Sequence, residues 1–237
     1  MTRATPRRYA FYLTPDHDCA YLAGRVARTV FADPEARLDA RAHTALAAHG
    51  FRRSGRFVYR PACAACQACV PVRIPVDAFI ADRGQRRTLA ANRDILVRRV
   101  PLSAEPEHLA LFGRYQAQRH PDGAMQARDG VQYLEYFASD DASTSAYEMR
   151  EDGALLGVMV VDHLEDALSA VYTYFEPELG ARSLGTFAIL WQIAEAQRLR
   201  RQWLYLGYWI AESPRMAYKA RFRPLQRLRG DRWEPVE

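Results

Sequence analysis

Between residues 145 and 208 the chain reads as three strands in succession, one long helix and a fourth strand. No other stretch limits the fold as strongly. Ser145–Arg150, Leu155–Leu164 and Ser169–Phe175 are strand-like runs, with a turn signal at Asp152-Gly153 between the first two. Arg182–Arg200 follows, with Leu184, Phe187, Ala188, Trp191 and Ala194 at helical spacing. Trp203–Tyr208 then reads as a buried strand, Ser213 as the cap of a short helix to about Arg221, and Leu225–Trp233 as a closing strand. A β-β-β-α-β-α-β order of this kind calls for an α/β sheet.

The first part of the chain is patterned less strongly. Asp33-Pro34-Glu35 reads as an N-cap, a first-turn proline and an acidic first turn, opening a helix to His49 that Gly50 stops. Arg56–Arg60 reads as a short strand. Val70–Val76 reads as an edge strand, because Pro71 and Pro75 cannot donate to a ladder. A short helix is expected over Asp82–Arg93 and a strand over Ile95–Val100. Pro101 through Pro106 is the most linker-like stretch, which divides the chain into domains 1–100 and 101–237. Glu105–Arg119 and Val131–Ala138, the latter capped by Asp129, complete the helices.

Composition excludes some classes. At 49% hydrophobic and 26% charged, the chain is not of disordered composition. Gly153–Val161, its longest apolar stretch, is about half of a membrane span, so no membrane partner is expected. Near the start, Arg3, Arg7 and Arg8 precede Asp16 and Asp18 in place of an apolar core, which speaks against a signal peptide and for the cytoplasm. A net charge of +5 is moderate and alone does not establish nucleic-acid binding. Of 33 cationic residues only Lys219 is a lysine. Arginine stays charged in proteins and lysine need not, so Lys219 is a candidate for chemistry.

All four cysteines fall in the first third: Cys19, and Cys63, Cys66 and Cys69 in a C-x2-C-x2-C run. Thiolates at this spacing can converge on zinc or on an iron–sulfur cluster with Cys19 as the fourth ligand; packing of small thiols is the alternative.

The strand order is also that of acyltransferases of the GNAT type. There the long helix opens on a Q/R-x-x-G-x-G/A loop whose N–H groups hold a pyrophosphate. Arg182 and Gly185 fit that pattern, whereas Phe187 stands where a small residue belongs and is expected to crowd a pyrophosphate; tight helix–strand packing would also explain Gly185. Tyr172 and Tyr174 lie at the end of one strand and Tyr208 at the end of the next, where α/β sheets place their binding crevice. The following Tyr218, Lys219, Arg221 and Arg223 sit just beyond it.

Taken together these segments resemble the bacterial aspartate/glutamate leucyltransferases, leucyl-tRNA–protein transferases related to eukaryotic arginyl-tRNA–protein transferase. The resemblance runs from Phe11-Tyr12-Leu13 to Leu225. It includes Cys19–Arg25, Tyr59-Arg60-Pro61 with the three clustered cysteines, Val72–Val76, Gln85-Arg86-Arg87 and Arg119–Gly123. Ser183–Thr186, Tyr205–Trp209 and Tyr218–Leu225 complete it, and Ala23 departs from the usual proline. The resemblance implies transfer of leucine from leucyl-tRNA to the α-amine of proteins beginning with Asp or Glu, which creates an N-degron for proteolysis. It implies an N-terminal transferase-specific domain and a C-terminal GNAT-like acyltransferase domain, an α+β/α/β chain overall. In eukaryotic relatives N-terminal cysteines hold an iron–sulfur cluster.

Such a transfer turns an ester into an amide and requires no cofactor. The expected catalytic groups are Tyr172, Tyr174, Tyr208 and Lys219, with Arg182, Gly185, Tyr218, Arg221 and Arg223 binding substrate and Arg221 and Arg223 reading the acceptor carboxylate. Arg83, Arg86 and Arg87, with Arg52, Arg53 and Arg56, are the expected tRNA phosphate contacts. An arginyl-tRNA donor, an acetyl-CoA-dependent N-acetyltransferase, and a non-enzymatic redox-sensing or RNA-binding module are the rival readings.

Overall fold

The computed structural model describes residues 8–121, 125, 127, 129–139 and 143–236. Asp122 and Gly123 of the Arg119–Gly123 motif lie outside them. The first elements are β1 (Phe11–Leu13), β2 (His17–Asp18), β3 (Val26–Ala27), β4 (Thr29–Ala32), α1 (Ala40–Ala48), β5 (Arg52–Ser54) and β6 (Phe57–Pro61). Next come β7 (Val70–Pro75), α2 (Arg83–Ala91), β8 (Leu96–Pro101), α3 (Pro106–Arg119) and α4 (Gly130–Phe137). The rest of the chain forms β9 (Thr144–Glu151), β10 (Ala154–His163), β11 (Ala167–Phe175), α5 (Leu184–Arg198) and β12 (Trp203–Trp209). It ends with α6 (Pro214–Ala217), a 3-10 turn over Tyr218–Arg221, β13 (Gln226–Arg229) and β14 (Arg232–Pro235).

The central sheet has eight strands in the order β14-β13-β7-β12-β11-β10-β9-β8. Asp152 and Gly153 both take positive φ, 48° and 86°, which gives the tight turn between β9 and β10. Along β10, Val158, Met159, Val160 and Val161 are all fully buried, because both faces of the sheet are covered. Met159 and Val161 pack under α5 with Phe187, Leu190 and Ile193. Val158 and Val160 pack on the opposite face under Leu111 and Phe112 of α3 and Tyr133 and Phe137 of α4. The period of two along the strand thus serves two separate cores.

Several expectations are corrected. β7 is an interior strand, between β12 and β13; β13 engages only Val72 and Arg73, which leaves both prolines outside that short ladder. The sheet therefore draws strands from both sides of residue 100. The first helix begins at Asp39, whose carboxylate accepts from the Ala42 N–H, while Asp33 caps only a turn through the Glu35 N–H. Gly50 does end the helix, at φ +80°. The closing strand is a hairpin, β13–β14. Ser213 makes no side-chain cap.

A smaller sheet, β1-β4-β6-β5, leans on the large one. Buried polar contacts join them. The buried Arg53 guanidinium donates to both carboxylate oxygens of Asp162 in β10, at 2.7 and 2.6 Å. The buried Tyr208 hydroxyl lies 3.1 Å from each of the carbonyl oxygens of Gly50 and Tyr59.

Candidate active site

β11 and β12 run parallel but pair only from Ala167↔Trp203 to Ser169↔Tyr205. Beyond that point they separate into a notch, flanked by a bulge in the β10–β11 pairing at Val160/Val161 and another in the β12–β7 pairing at Tyr205/Gly207. Arg52 of β5 occupies the notch. Its Nη2 donates to the Val171 carbonyl at 2.7 Å, a backbone acceptor past the last β11–β12 pair. Gly207 borders it from β12 at φ +71°, and a Cβ there would stand 3.0 Å from Arg52 Nη1. Glycine is required both for the backbone angle and for this close approach.

Aromatic hydroxyls surround the guanidinium. Tyr21, Tyr59, Tyr208 and Tyr218 all interact with its charge, and it bears on Tyr172 as well. The Tyr172 hydroxyl accepts from Gln116 Nε2 of α3 at 2.9 Å, which leaves its own proton free to donate. Burial raises the Tyr172 pKa, so the phenol stays protonated. Lys219 is 4% exposed and donates to the Tyr208 carbonyl at 2.5 Å and to Met216 Sδ at 3.5 Å. Burial first, and the Arg52 charge second, push its ammonium well below the usual lysine range. His120, at the end of α3, stacks edge-on against Tyr115 with centroids 5.6 Å apart. Its pKa is lowered by burial and then by Arg215 and Arg119, which favours the neutral imidazole.

The notch therefore brings Tyr172, Tyr208, Tyr218 and Lys219 together as expected and adds Arg52, which was expected on phosphate. It does not include Tyr174. That side chain is fully buried, its hydroxyl 2.6 Å from that of Tyr133 and its ring 5.3 Å from Phe112, so it sits in the core between β11 and α4. Arg182 and Gly185 lie elsewhere too. Arg182 pairs with Asp94 and with Glu151 at 2.8 Å and donates to Asn92 Oδ1 at 3.0 Å, so it braces α5 against α2 and β9. The Phe175 ring covers Gly185, 3.1 Å from where a Cβ would be. Phe187 points into the core and does not crowd the loop as expected; the residue that fills that place is Phe175.

Arg83, Arg86 and Arg87 are exposed on α2, held by a capping box between Asp82 and Gln85. Gln85 Nε2 also donates to the Arg221 carbonyl at 3.1 Å, so α2 adjoins the exposed Arg221 and Arg223. Arg223 donates to the Val236 carbonyl at 3.2 Å. Arg53 is spent on Asp162, and Arg56 pairs with Glu35 at 2.5 Å.

The four cysteines do gather. Burial pushes the Cys69 thiol up to about 12, and Cys19, Cys63 and Cys66 each add to that rise. Cys66 is lowered by the Ala68 N–H and by Arg25, whose Nη1 lies 3.4 Å away. Four thiols suit a soft metal or a cluster, but tetrahedral zinc draws sulfurs to about 3.8 Å from one another. Among the described residues the one set of three ligand atoms within 4.8 Å of each other is Glu107, His108 and Glu148, so the sulfurs stand wider than a zinc site.

The sequence contained two signals for Arg52. Arg52 and Arg53 alternate on a strand, so one of them faces inward, and a glycine inside the apolar run Tyr205–Trp209 marks a close backbone approach. His120 appeared only as part of a motif.

Residues 17–87 match the family described as arginine-tRNA-protein transferase, N terminus, and residues 107–229 match its C terminus. The aspartate/glutamate leucyltransferase of Thiobacillus denitrificans is 46% identical over 98% of this chain and 96% of its own. That of Marinobacter nauticus is 47% identical over 97% of each. Among solved structures, the C-terminal domain of a putative lysylphosphatidylglycerol synthetase from Agrobacterium fabrum aligns at a TM-score of 0.50 with 16% identity. It covers 80% of this chain, which spans 61% of that one, and the likeness speaks to the fold alone. Matched over almost its whole length and at nearly half of its positions, the chain belongs to the aspartate/glutamate leucyltransferase family.

Proposed function

We propose that the chain transfers leucine from leucyl-tRNA to the α-amine of proteins beginning with Asp or Glu, marking them for N-degron proteolysis. The observation that carries this reading is the polar notch between β11 and β12, set in a chain that matches leucyltransferases end to end. In this reading β9 to β14, with the helices packed on them, form the GNAT-like acyltransferase domain expected over 101–237, and β7 and β8 extend its sheet.

The chemistry asks little of a base. An α-amine has a pKa of about 7.7–8.0, so a sizeable fraction is already the free nucleophile near neutrality. Attack on the ester carbonyl forms the C–N bond and places charge on the carbonyl oxygen. Tyr172, with its proton free, donates to that oxygen, and neutral His120 takes the proton the amine sheds. The ester C–O bond then breaks, and the leaving 3′-oxygen takes a proton from its neighbouring ribose hydroxyl, which recovers the proton that His120 carries. Tyr208, its hydroxyl held between two carbonyls, positions the strand and the Lys219 side chain. Arg83, Arg86 and Arg87, exposed beside Arg221 and Arg223, form the face for tRNA phosphates. With the sulfurs wider than zinc requires, an iron–sulfur cluster is the group that Cys19, Cys63, Cys66 and Cys69 would hold; it would tie the cysteine loop together and take no part in the transfer.

The test offers labelled leucyl-tRNA and arginyl-tRNA separately, with peptides beginning Asp, Glu, Lys or Ala. Leucine on the Asp and Glu peptides alone is the expected result. Arginine on the same peptides would replace the donor, and no transfer from either would overturn the reading. With Phe175 over Gly185, tight coenzyme A binding is not expected.

A further inference from the structure

Buried charges in proteins are normally paired, because an isolated ion in a low-dielectric site loses its hydration with nothing in return. Half-buried Arg52 and buried Lys219 depart from that rule together. They are close enough for the arginine to depress the lysine, and among the described residues neither forms an ion pair. Their polar contacts are neutral: the Val171 carbonyl for Arg52, the Tyr208 carbonyl and Met216 Sδ for Lys219. The surrounding groups with most influence on Arg52 are four phenols. A site with one inward guanidinium, a buried lysine whose charge burial and Arg52 disfavour, phenolic walls and, among the described residues, no carboxylate paired to either is completed by an entering anion, which would answer the guanidinium and favour the charged lysine.

The shape of the notch narrows the choice of anion. A guanidinium fork binds a carboxylate through two parallel N–H···O bonds, and Arg52 spends only Nη2 on the protein. It lies where β11 and β12 part, beside Tyr172 and Tyr218. An acceptor whose α-amine reacts there carries its side-chain carboxylate one or two methylenes away. We propose that Arg52, backed by Lys219, is the residue that reads the side-chain carboxylate of the N-terminal Asp or Glu. The exposed Arg221 and Arg223, expected to do this, are in water, where an ion pair discriminates weakly. The assignment rests on the proposed transfer, and it defines the acceptor subsite of that same notch.

The test compares the full-length protein with Arg52→Gln and Arg52→Lys. It measures calorimetric binding of peptides beginning Asp or Asn without tRNA, leucyl-tRNA binding without peptide, and the kinetics of transfer. Wild type binds the Asp peptide over the Asn peptide. Arg52→Gln keeps a polar side chain without the charge or the fork, binds the Asp peptide about 100-fold or more weakly, and no longer separates Asp from Asn. Its loss appears in the KM for acceptor, and its leucyl-tRNA affinity is unchanged. Arg52→Lys, with charge but no fork, falls between the two. Arg52→Gln that still prefers Asp, or that loses leucyl-tRNA binding in place of acceptor binding, overturns the assignment. A wild type that binds Asp peptides selectively but transfers nothing overturns the transfer reading and leaves the carboxylate site standing. If Arg52→Gln does not fold, Arg52→Lys decides: full wild-type Asp preference with an unchanged acceptor KM rejects the forked contact.

Discussion

Arg52 and Arg53 are neighbours on one strand, and the protein treats them in opposite ways. Arg53 is held by both oxygens of Asp162, by the Thr144 hydroxyl at 3.0 Å and by the carbonyls of Gly55 and Ala138 at 2.8 and 3.0 Å. Its charge is answered within the fold. Arg52 points the other way, as alternate strand residues must, and meets a backbone carbonyl and phenols. The fold supplies the first arginine with every acceptor it needs and leaves the second short of a carboxylate. One is a strut between sheets; the other keeps its charge for substrate.

Breaking the strut has the largest expected effect. Arg53→Ala leaves the Asp162 carboxylate, itself 5% exposed, without its partner, and should destabilise the fold by about 3–5 kcal/mol. Urea unfolding measures this. Acceptor selectivity of whatever protein remains folded should be intact, the reverse of the Arg52 variants. A loss below about 1 kcal/mol would mean that the small sheet is not anchored through this pair.

A second answered charge sharpens the contrast through pH. Glu148, 5% exposed, is held by Arg150 at 2.9 Å, by buried His108 at 3.0 Å and by Arg98 at 3.0 Å. Arg150 first, then His108 and Arg98, hold its carboxyl at about 2 against an ordinary 4.5. A folded-state pKa below the unfolded one gives stability that is fully present above about pH 4.5 and is lost as pH falls through about 2. The contribution at neutral pH is up to about 3 kcal/mol. Chemical denaturation as a function of pH should show Glu148→Gln flattening the curve across that window, and an unchanged slope would reject the network as the cause.

The same contrast explains what could be read without the structure. The order of strands and helices was legible because each depends on a local signal: the short apolar run of β10, the repeat in α5, the turn at Asp152-Gly153. The seat of half-buried Arg52 was not, because it depends on two strands parting 119 residues away. Tyr172 and Tyr174 share a face of β11, and only the packing of Tyr133 on α4 decides that one hydroxyl is sealed in while the other meets Gln116. β7 looked like an edge because prolines lack an N–H; how short the β13 ladder would be cannot be seen in β7 itself. The gathering of Cys19 with Cys63, Cys66 and Cys69 was legible from thiol chemistry, and the spread of the sulfurs was not.

The smallest effect is expected at Gly185, where the sequence pattern pointed to a phosphate cradle and the structure shows a packed helix start. Alanine there gains up to about 1 kcal/mol of helix propensity. Against that, its Cβ would stand 3.1 Å from Phe175 Cε1, so the ring must shift by a few tenths of an ångström. The two effects oppose each other, and Gly185→Ala should change stability by less than about 1 kcal/mol and leave kcat/KM for leucine transfer within about twofold. Urea midpoints and transfer kinetics on one preparation check both. A tenfold fall in kcat/KM with stability unchanged would show that the N-terminus of α5 holds the donor. The anion-binding work would then be divided, with the donor on α5 and the acceptor carboxylate on Arg52 in the notch.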